Sequence, residues 1–202
     1  MNDRRIDAIL FDLGGVLVEL SGIGRMLSWS RGIGDSTDLW RRWLHSPAVR
    51  RFETGVSSPD AFAADAVAEF ALPVTPDEFL REFTRWPREL LPGAMDLLES
   101  LAPRFRLASV SNTNEIHWRR FRDEWSLDRA FAHNFPSHAI GRVKPDRDYF
   151  EHVLATMGVA AERVLFVDDN AINVEGAAKL GIVARQATGP DDVRKIVAEL
   201  GE

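Results

Sequence analysis

Four side chains in this sequence have the chemistry needed for displacement at phosphorus, provided that the fold brings them together. Asp12, Ser111 and Asp168 each follow a short apolar run, and Lys144 stands in the loop before the third run. A carboxylate can attack, a hydroxyl can hold the transferring group, and an ammonium group can offset its negative charge. These residues are far apart in the chain, so the prediction depends on the elements that position them.

The acidic residues of this set predict a magnesium site. Asp168 is followed by Asp169, and carboxylates that meet within a few ångströms repel each other unless a cation lies between them. An all-oxygen site without His or Cys suits Mg²⁺. A phosphate dianion beside a bare carboxylate is disfavoured by roughly 4 kcal/mol per charge pair at an effective dielectric near 20. Mg²⁺ and Lys144 would reverse the sign of that interaction.

The predicted reaction is attack by Asp12 on phosphorus, which gives an aspartyl-phosphate that water hydrolyses. Gly14 and Gly15 follow Asp12 and let the backbone approach a ligand closely. Each part also has a simpler interpretation. Ser111 and Asp168 can cap the next helix or turn, and a lysine before proline is an ordinary loop residue. We do not expect all of these simple interpretations to hold together, because three of the polar residues stand at the ends of three apolar runs.

The segments around these residues alternate between strand and helix. Apolar runs at 8–11, 107–110, 164–167 and 182–184 predict strands, and periodic segments at 94–101, 115–125, 146–157 and 173–180 predict helices. This alternation predicts an α/β fold with a doubly wound parallel sheet and helices on both faces. Because ligands bind at the carboxyl ends of parallel strands, Asp12, Ser111 and Asp168 are expected to converge on one site.

A helical region interrupts this pattern after the first strand. Residues 20–89 carry apolar side chains at helical intervals, which predicts a small helical domain, while residues 1–19 and 90–202 form the α/β core. Ser36 and Ser58 precede helical stretches as candidate N-caps. The tryptophans of this region either line a pocket or hold the helical bundle together, and the second interpretation is favoured: Trp29, Trp40, Trp43 and Trp86.

Composition excludes several classes of function. The chain has 202 residues, a formal net charge of −6 and no cysteine, which excludes disulfides, thiolate metal sites and a thiol nucleophile. The acidic balance argues against a nucleic-acid partner. The sequence shows neither a signal-peptide pattern nor an apolar segment near 20 residues, so a cytoplasmic protein without membrane contact is expected, with a small phosphorylated metabolite as its partner.

The motifs taken together resemble a known family. Residues 11–17, 110–112, 144–145 and 167–170, followed by 173–177, are similar to the four motifs of the haloacid dehalogenase-like hydrolase superfamily. The resemblance implies a Rossmann-like core with a helical cap over the active site. It implies that Asp12 is the nucleophile and a Mg²⁺ ligand, and that the Gly14 carbonyl and Asp168 are further ligands. The remaining implied roles are substrate binding by Gly15, Ser111, Asn112 and Lys144, and support of the site by Asp169 and Asn173.

One position departs from the family pattern. Most phosphatases of the superfamily carry a second Asp two residues after the nucleophile, where it protonates the leaving group, and this chain has Gly14 there. The chain looks most similar to sugar-phosphate phosphatases of the glucose-1-phosphate type. We therefore expect substrates whose leaving groups need little protonation, such as anomeric sugar phosphates or acyl phosphates. Glu19 or a cap residue is the candidate replacement for the missing acid.

Two other functions fit the same motifs. A 2-haloacid dehalogenase expels halide without a proton and needs no Mg²⁺, although it would leave Asp168 and Asp169 without a role. A binding protein on the same fold would not need the retained catalytic set. Substrate choice is expected to lie in the cap, where four side chains either face the site or serve packing and surface ion pairs: Arg25, Trp29, Arg50 and Arg51.

Overall fold

The core of the protein is a five-stranded parallel sheet, seen in a computed structural model that describes residues 5–29 and 36–201. The strands of this sheet are β1 (Ala8–Phe11), β4 (Arg106–Ser111), β5 (His133–Pro136), β6 (Val164–Asp168) and β7 (Val183–Gln186). They lie in the order β5-β4-β1-β6-β7, and each neighbouring pair is parallel. The first strand of the chain is therefore central, with β4 and β6 on either side.

Helices cover both faces of the sheet, because side chains of the buried strands alternate between two apolar clusters. Ile9 and Phe11 pack into one cluster with α6, α7 and α11, while Leu10 and Phe166 pack into the other with α9 and α10. The predicted α/β class with a doubly wound parallel sheet is confirmed. The core helices are α6 (Ala94–Leu101), α7 (Glu115–Asp123), α8 (Ser137–Ile140), α9 (Arg147–Met157), α10 (Ala171–Ala178) and α11 (Pro190–Glu199).

In the part of the cap that the structure describes, residues 20–29 and 36–89, five helices lie between the first strand and the rest of the core. They pack around a third apolar cluster in which Trp43, Phe62 and Phe83 are buried. The hydroxyl of the predicted N-cap Ser58 accepts a hydrogen bond from the Ala61 N–H, whereas the side chain of Ser36 lies outside the described residues. The cap helices are α1 (Gly22–Trp29), α2 (Ser36–Leu44), α3 (Pro47–Glu53), α4 (Pro59–Glu69) and α5 (Pro76–Phe83).

The chain enters and leaves the cap through a two-stranded antiparallel ribbon, β2 (Val18–Leu20) and β3 (Pro87–Leu90). The predicted domain boundaries, after residues 19 and 89, fall within this ribbon. The sequence pattern did not predict the ribbon or β5, because these strands carry polar residues or proline in place of a continuous apolar run. None of the helices in the described ranges is long and apolar enough to span a membrane.

Candidate active site

The strand order explains why distant residues meet at one edge of the sheet. Asp12 follows β1, and its N–H donates to the Val167 carbonyl of β6 at 2.9 Å. Ser111 and Asp168 end the two strands that pair with β1. Parallel strands place their carboxyl ends at the same edge, so the three residues lie around the end of the central strand.

Lys144 joins the two carboxylates of this edge directly. Its Nζ lies 2.7 Å from Asp12 Oδ1 and 2.6 Å from Asp168 Oδ2, and the lysine is 2% exposed. The side-chain amide of Asn112 holds the lysine's loop, since its Nδ2 donates to the Lys144 carbonyl and its Oδ1 accepts from the Lys144 N–H, both at 2.8 Å. Asn112, predicted to bind substrate, thus uses its side chain on the backbone of Lys144.

Asp168 is fixed from several sides at the end of β6. Asn173 Nδ2 donates to both of its oxygens, at 3.0 and 3.1 Å, and the Asn170 N–H donates to Oδ1 at 2.8 Å. Asn170 also caps α10 by accepting from the Ile172 N–H. The segment between β6 and α10 therefore orients a carboxylate that is fully buried, which a surface capping role would not require.

Three carboxylates at this edge could share one cation. Oxygens of Asp12, Asp168 and Asp169 lie within 4.8 Å of one another. Gly15 makes room for Asp169: its φ is +72°, and a Cβ at this position would lie 2.3 Å from Asp169 Oδ2. The three carboxylates outnumber the single ammonium of Lys144 and leave an excess of two negative charges when all are ionised. An oxygen-only donor set with that excess fits a divalent ion such as Mg²⁺.

Burial and mutual repulsion change the proton affinity of the cluster. Burial raises the pKa of Asp12 to about 8; Lys144 opposes the rise, and Asp168 and Asp169 add to it. Burial and the Asp168 charge raise the pKa of Asp169 to about 6. Burial alone would lower the pKa of Lys144, but the two carboxylates that it bridges raise it above its ordinary value. Lys144 is therefore a permanent cation, and an added divalent ion would favour the ionised form of Asp12.

A cavity of about 450 Å³ opens from this cluster toward the cap. The core contributes Asp12, Gly14, Lys144 and Asp169 to its walls, together with residues 111–114. The cap contributes mostly aromatic and aliphatic side chains, with Arg41 and Glu53 as the polar exceptions among the described residues. Such a volume is within the ordinary range for small-molecule sites.

Besides Arg41, two titratable residues of the described cavity walls were not predicted from the sequence. His117, on α7, is buried; its Nε2 donates to the Phe83 carbonyl at 2.7 Å, and its Nδ1 accepts from Asn114 Nδ2 at 3.2 Å. Burial lowers the pKa of His117 to about 4, so its ring is neutral at physiological pH. Glu53 ends α3, and the Trp43 indole N–H donates to its carboxylate. Neither residue belongs to a sequence motif, so only the packing of the cap on the core reveals them.

The cap residues singled out from the sequence divide into two groups. Trp40, Trp43 and Trp86 line the cavity, and the last two are also buried in the cap cluster, so the two interpretations of the tryptophans are compatible. The other candidates are absent from the described walls. Arg25, Arg50 and Arg51 pair with Glu82, Asp146 and Asp65, Trp29 packs on Phe79, and Glu19 is exposed.

Comparison with known proteins identifies the family. The chain is 27% identical over 187 residues to a sesquiterpene phosphatase of Aspergillus oryzae, covering 90% of this chain and 89% of the relative. A predicted haloacid dehalogenase-like hydrolase of Porphyromonas gingivalis superposes with a TM-score of 0.76 at 26% identity, covering 98% of both chains. A haloacid dehalogenase family enzyme of Bacteroides thetaiotaomicron, solved as a magnesium complex, shares the fold at a TM-score of 0.72 and 22% identity, covering 91% of this chain and 93% of that one.

The part of the chain that matches a protein-family model contains the strands and loops that build the site. Residues 6–181 match the model of the haloacid dehalogenase-like hydrolases. This range contains β1, the whole cap and the segments that carry Ser111, Lys144 and Asp168. The chain is therefore an enzyme of the haloacid dehalogenase-like hydrolase family.

Proposed function

We propose that this hydrolase cleaves phosphate monoesters with Mg²⁺ through an aspartyl-phosphate on Asp12. The observation that carries the proposal is the position of Lys144 Nζ between Asp12 and Asp168, at 2.7 and 2.6 Å, on the floor of a cavity. A bound Mg²⁺ would be held by Asp12, Asp168 and the Gly14 carbonyl, with Asp169 in support, and would supply positive charge toward the phosphate.

The side chains of the site suit each part of this reaction. Lys144 contacts Oδ1 of Asp12, and no hydrogen bond among the described residues reaches Oδ2, so that oxygen is available for attack on phosphorus. Residues 111–114 line the cavity beside the nucleophile; the Ser111 hydroxyl can donate to the phosphoryl oxygens, whereas the Thr113 N–H already donates to Ser137 Oγ at 2.9 Å. Water then attacks phosphorus in the acyl phosphate, and phosphate leaves with Asp12 restored.

The cavity walls favour an ester with an apolar organic group. Sugar phosphates remain the prediction from the sequence, yet a sugar presents hydroxyl groups that require polar partners, and the cap supplies few. The relative named a sesquiterpene phosphatase points to the same apolar class. The apolar wall residues that the cap contributes are Leu20, Trp40, Trp43, Leu44, Phe83 and Trp86.

The test measures phosphate release from a panel of phosphate esters: farnesyl phosphate, benzyl phosphate, glucose 1-phosphate and glucose 6-phosphate. Each ester is assayed once with Mg²⁺ and once with a chelator. We expect release only with Mg²⁺, fastest from the apolar esters, and none from Asp12→Asn. Faster release from either sugar phosphate would restore the sugar-phosphate prediction. Halide release from a 2-haloacid that is insensitive to the chelator, without phosphate release from any ester, would assign the dehalogenase reaction instead.

A further inference from the structure

The position of the usual acid carries no side chain in this protein. Alcohol esters need a proton on the leaving oxygen, and residue 14, which commonly supplies it in related phosphatases, is glycine. A Cβ at Gly14 would lie 2.5 Å from Leu20 Cδ1, so the side chain of Leu20 occupies the space in which an acid would begin. A proton donor must therefore come from elsewhere in the cavity.

Most titratable groups of the described cavity walls are unsuited to that role. Asp12, Lys144 and Asp169 belong to the charged cluster at the floor. Both ring nitrogens of His117 are engaged, and its neutral ring gives its only proton to the Phe83 carbonyl. The guanidinium of Arg41 does not lose its proton in proteins. Among the described cavity walls, Glu53 therefore remains as the carboxyl group that could donate the proton.

Two contacts between cap and core fix the place of Glu53. Arg50, three residues earlier, pairs with Asp146, which follows the Lys144 loop. Gly55, two residues later, lies so close to the core that a Cβ there would be 2.4 Å from the His138 carbonyl oxygen. The end of α3 is thereby held against the core on both sides of Glu53, and the Lys144 charge acts on its carboxyl group.

The surroundings of Glu53 also suit a group that exchanges a proton near neutral pH. Burial raises the pKa of Glu53 to about 7, although the Trp43 hydrogen bond and the Lys144 charge act in the opposite direction. An acid that is partly protonated at the working pH can give its proton to a leaving alkoxide and take one back in the next step.

We propose that Glu53 protonates the leaving oxygen of the phosphate ester, in place of the acid that Gly14 lacks; this rests on the phosphatase function proposed above. An Asp12 oxygen bonds to phosphorus while the bond from phosphorus to the ester oxygen breaks, and the Glu53 proton passes to that oxygen, which leaves as an alcohol. Water then attacks phosphorus, gives a proton to the Glu53 carboxylate, and displaces Asp12, so phosphate is released and both carboxyl groups return to their starting forms.

The test compares two esters of similar size with different leaving groups. Benzyl phosphate expels a strongly basic alkoxide, whereas 4-nitrophenyl phosphate expels a weakly basic phenolate that needs no proton. Glu53→Gln keeps an oxygen that can accept from Trp43 and removes the acid. We expect kcat/KM of this variant to fall about 10²-fold or more for benzyl phosphate and to stay within about threefold for 4-nitrophenyl phosphate. Glu82→Gln, a cap carboxylate outside the cavity walls, is the control and should change neither value.

The possible outcomes separate the two proposals. Equal losses on both esters, or no loss on either, would overturn the role of Glu53 and leave the phosphatase function intact. Wild-type enzyme that releases phosphate neither from these two esters nor from the panel described above would overturn both. If Glu53→Gln does not fold, a series of substituted phenyl phosphates with wild-type enzyme gives the answer. A weak dependence of kcat/KM on leaving-group basicity supports the acid, and a steep dependence contradicts it.

Discussion

The core residues around Lys144 form the floor of the cavity, and the cap residues that line it form its roof. Different interactions stabilise these two parts. The floor is polar and fixed by hydrogen bonds: Lys144 lies between two carboxylates, and Asn112 and Asn173 hold the lysine loop and Asp168. The roof is apolar and fixed by packing. Trp43 and Trp86 have ring centroids 5.0 Å apart, and Phe83 and Trp86 have centroids 4.8 Å apart. We therefore expect the core to carry the attack on phosphorus and the apolar cap residues to select the organic group, with Glu53 as the cap residue proposed to act in the reaction.

The largest effect on activity is expected from a substitution in the charged cluster at the floor of the cavity. Lys144→Met removes the ammonium that bridges Asp12 and Asp168, so phosphate would meet uncompensated carboxylates. We expect kcat/KM for phosphate release to fall by about 10³-fold or more. Lys179→Met, which replaces an exposed lysine on the core, should keep wild-type activity. Activity retained in Lys144→Met would show that the floor does not carry the chemistry.

The floor can also be tested without turnover, through cation binding. Mg²⁺ that binds only the folded protein should raise the free energy of unfolding, by about 2.7 kcal/mol at a concentration of 100 times Kd. We expect Asp169→Asn to lose most of this increment, since one of three carboxylates is removed, and Asp191→Asn, an exposed site, to keep it. Chemical denaturation with and without Mg²⁺ measures the effect. An equal increment in Asp169→Asn would place the cation elsewhere.

The contrast between the polar floor and the apolar roof also explains how far the sequence could predict the site. Asp12, Ser111 and Asp168 were predictable because parallel strands end at one edge, so a strand pattern determines which residues meet. Lys144 was predictable as part of a motif, although its bridge between two carboxylates was not. The hydrogen bonds between the Asn112 side-chain amide and the backbone of Lys144 were not predicted, and substrate binding by Asn112 stays a prediction.

The roof could not be predicted in this way. Helical periodicity indicates that Trp43 faces the interior of the cap, but it does not show that this side chain also reaches the cavity, and Trp86 lies beyond the end of α5. The position of Glu53 depends on how α3 packs against the core, which includes the pair between Arg50 and Asp146. Such contacts join residues far apart in the chain, and no local pattern encodes them. The ribbon of β2 and β3 was missed for a similar reason, since its strands are defined by their pairing.

A contact between the core and the cap predicts how the free energy of unfolding depends on pH. His117 of the core donates to the Phe83 carbonyl of the cap, and burial lowers its pKa to about 4. Below about pH 6.5 this histidine binds a proton in the unfolded protein but not in the folded protein, so its contribution to the free energy of unfolding decreases as pH falls from 6.5 toward 4. Relative to pH 7, this group should cost roughly 2 kcal/mol at pH 5.

Replacement of the histidine isolates its contribution. His117→Phe should be less stable than wild type at pH 7, because Asn114 and the Phe83 carbonyl lose a partner, and it should lack this part of the decrease toward pH 5. His45→Asn, at an exposed cap position, should follow the wild-type pH dependence. Urea unfolding at the two pH values measures the difference. Parallel pH dependences for wild type and His117→Phe would contradict the neutral state assigned to the ring.

The smallest effect is expected from a change confined to the roof. Trp40 is half-buried and lines the cavity, whereas Trp29 is a cap tryptophan outside the described walls. If the cap selects the organic group, Trp40→Ala should lower kcat/KM about tenfold for farnesyl phosphate, by the loss of apolar contact. Acetyl phosphate, too small to fill the roof, should change by less than about twofold, and Trp29→Ala should leave both values unchanged. A tenfold loss on both substrates would mean that the roof acts on the chemistry of the floor, and the division between core and cap would have to be abandoned.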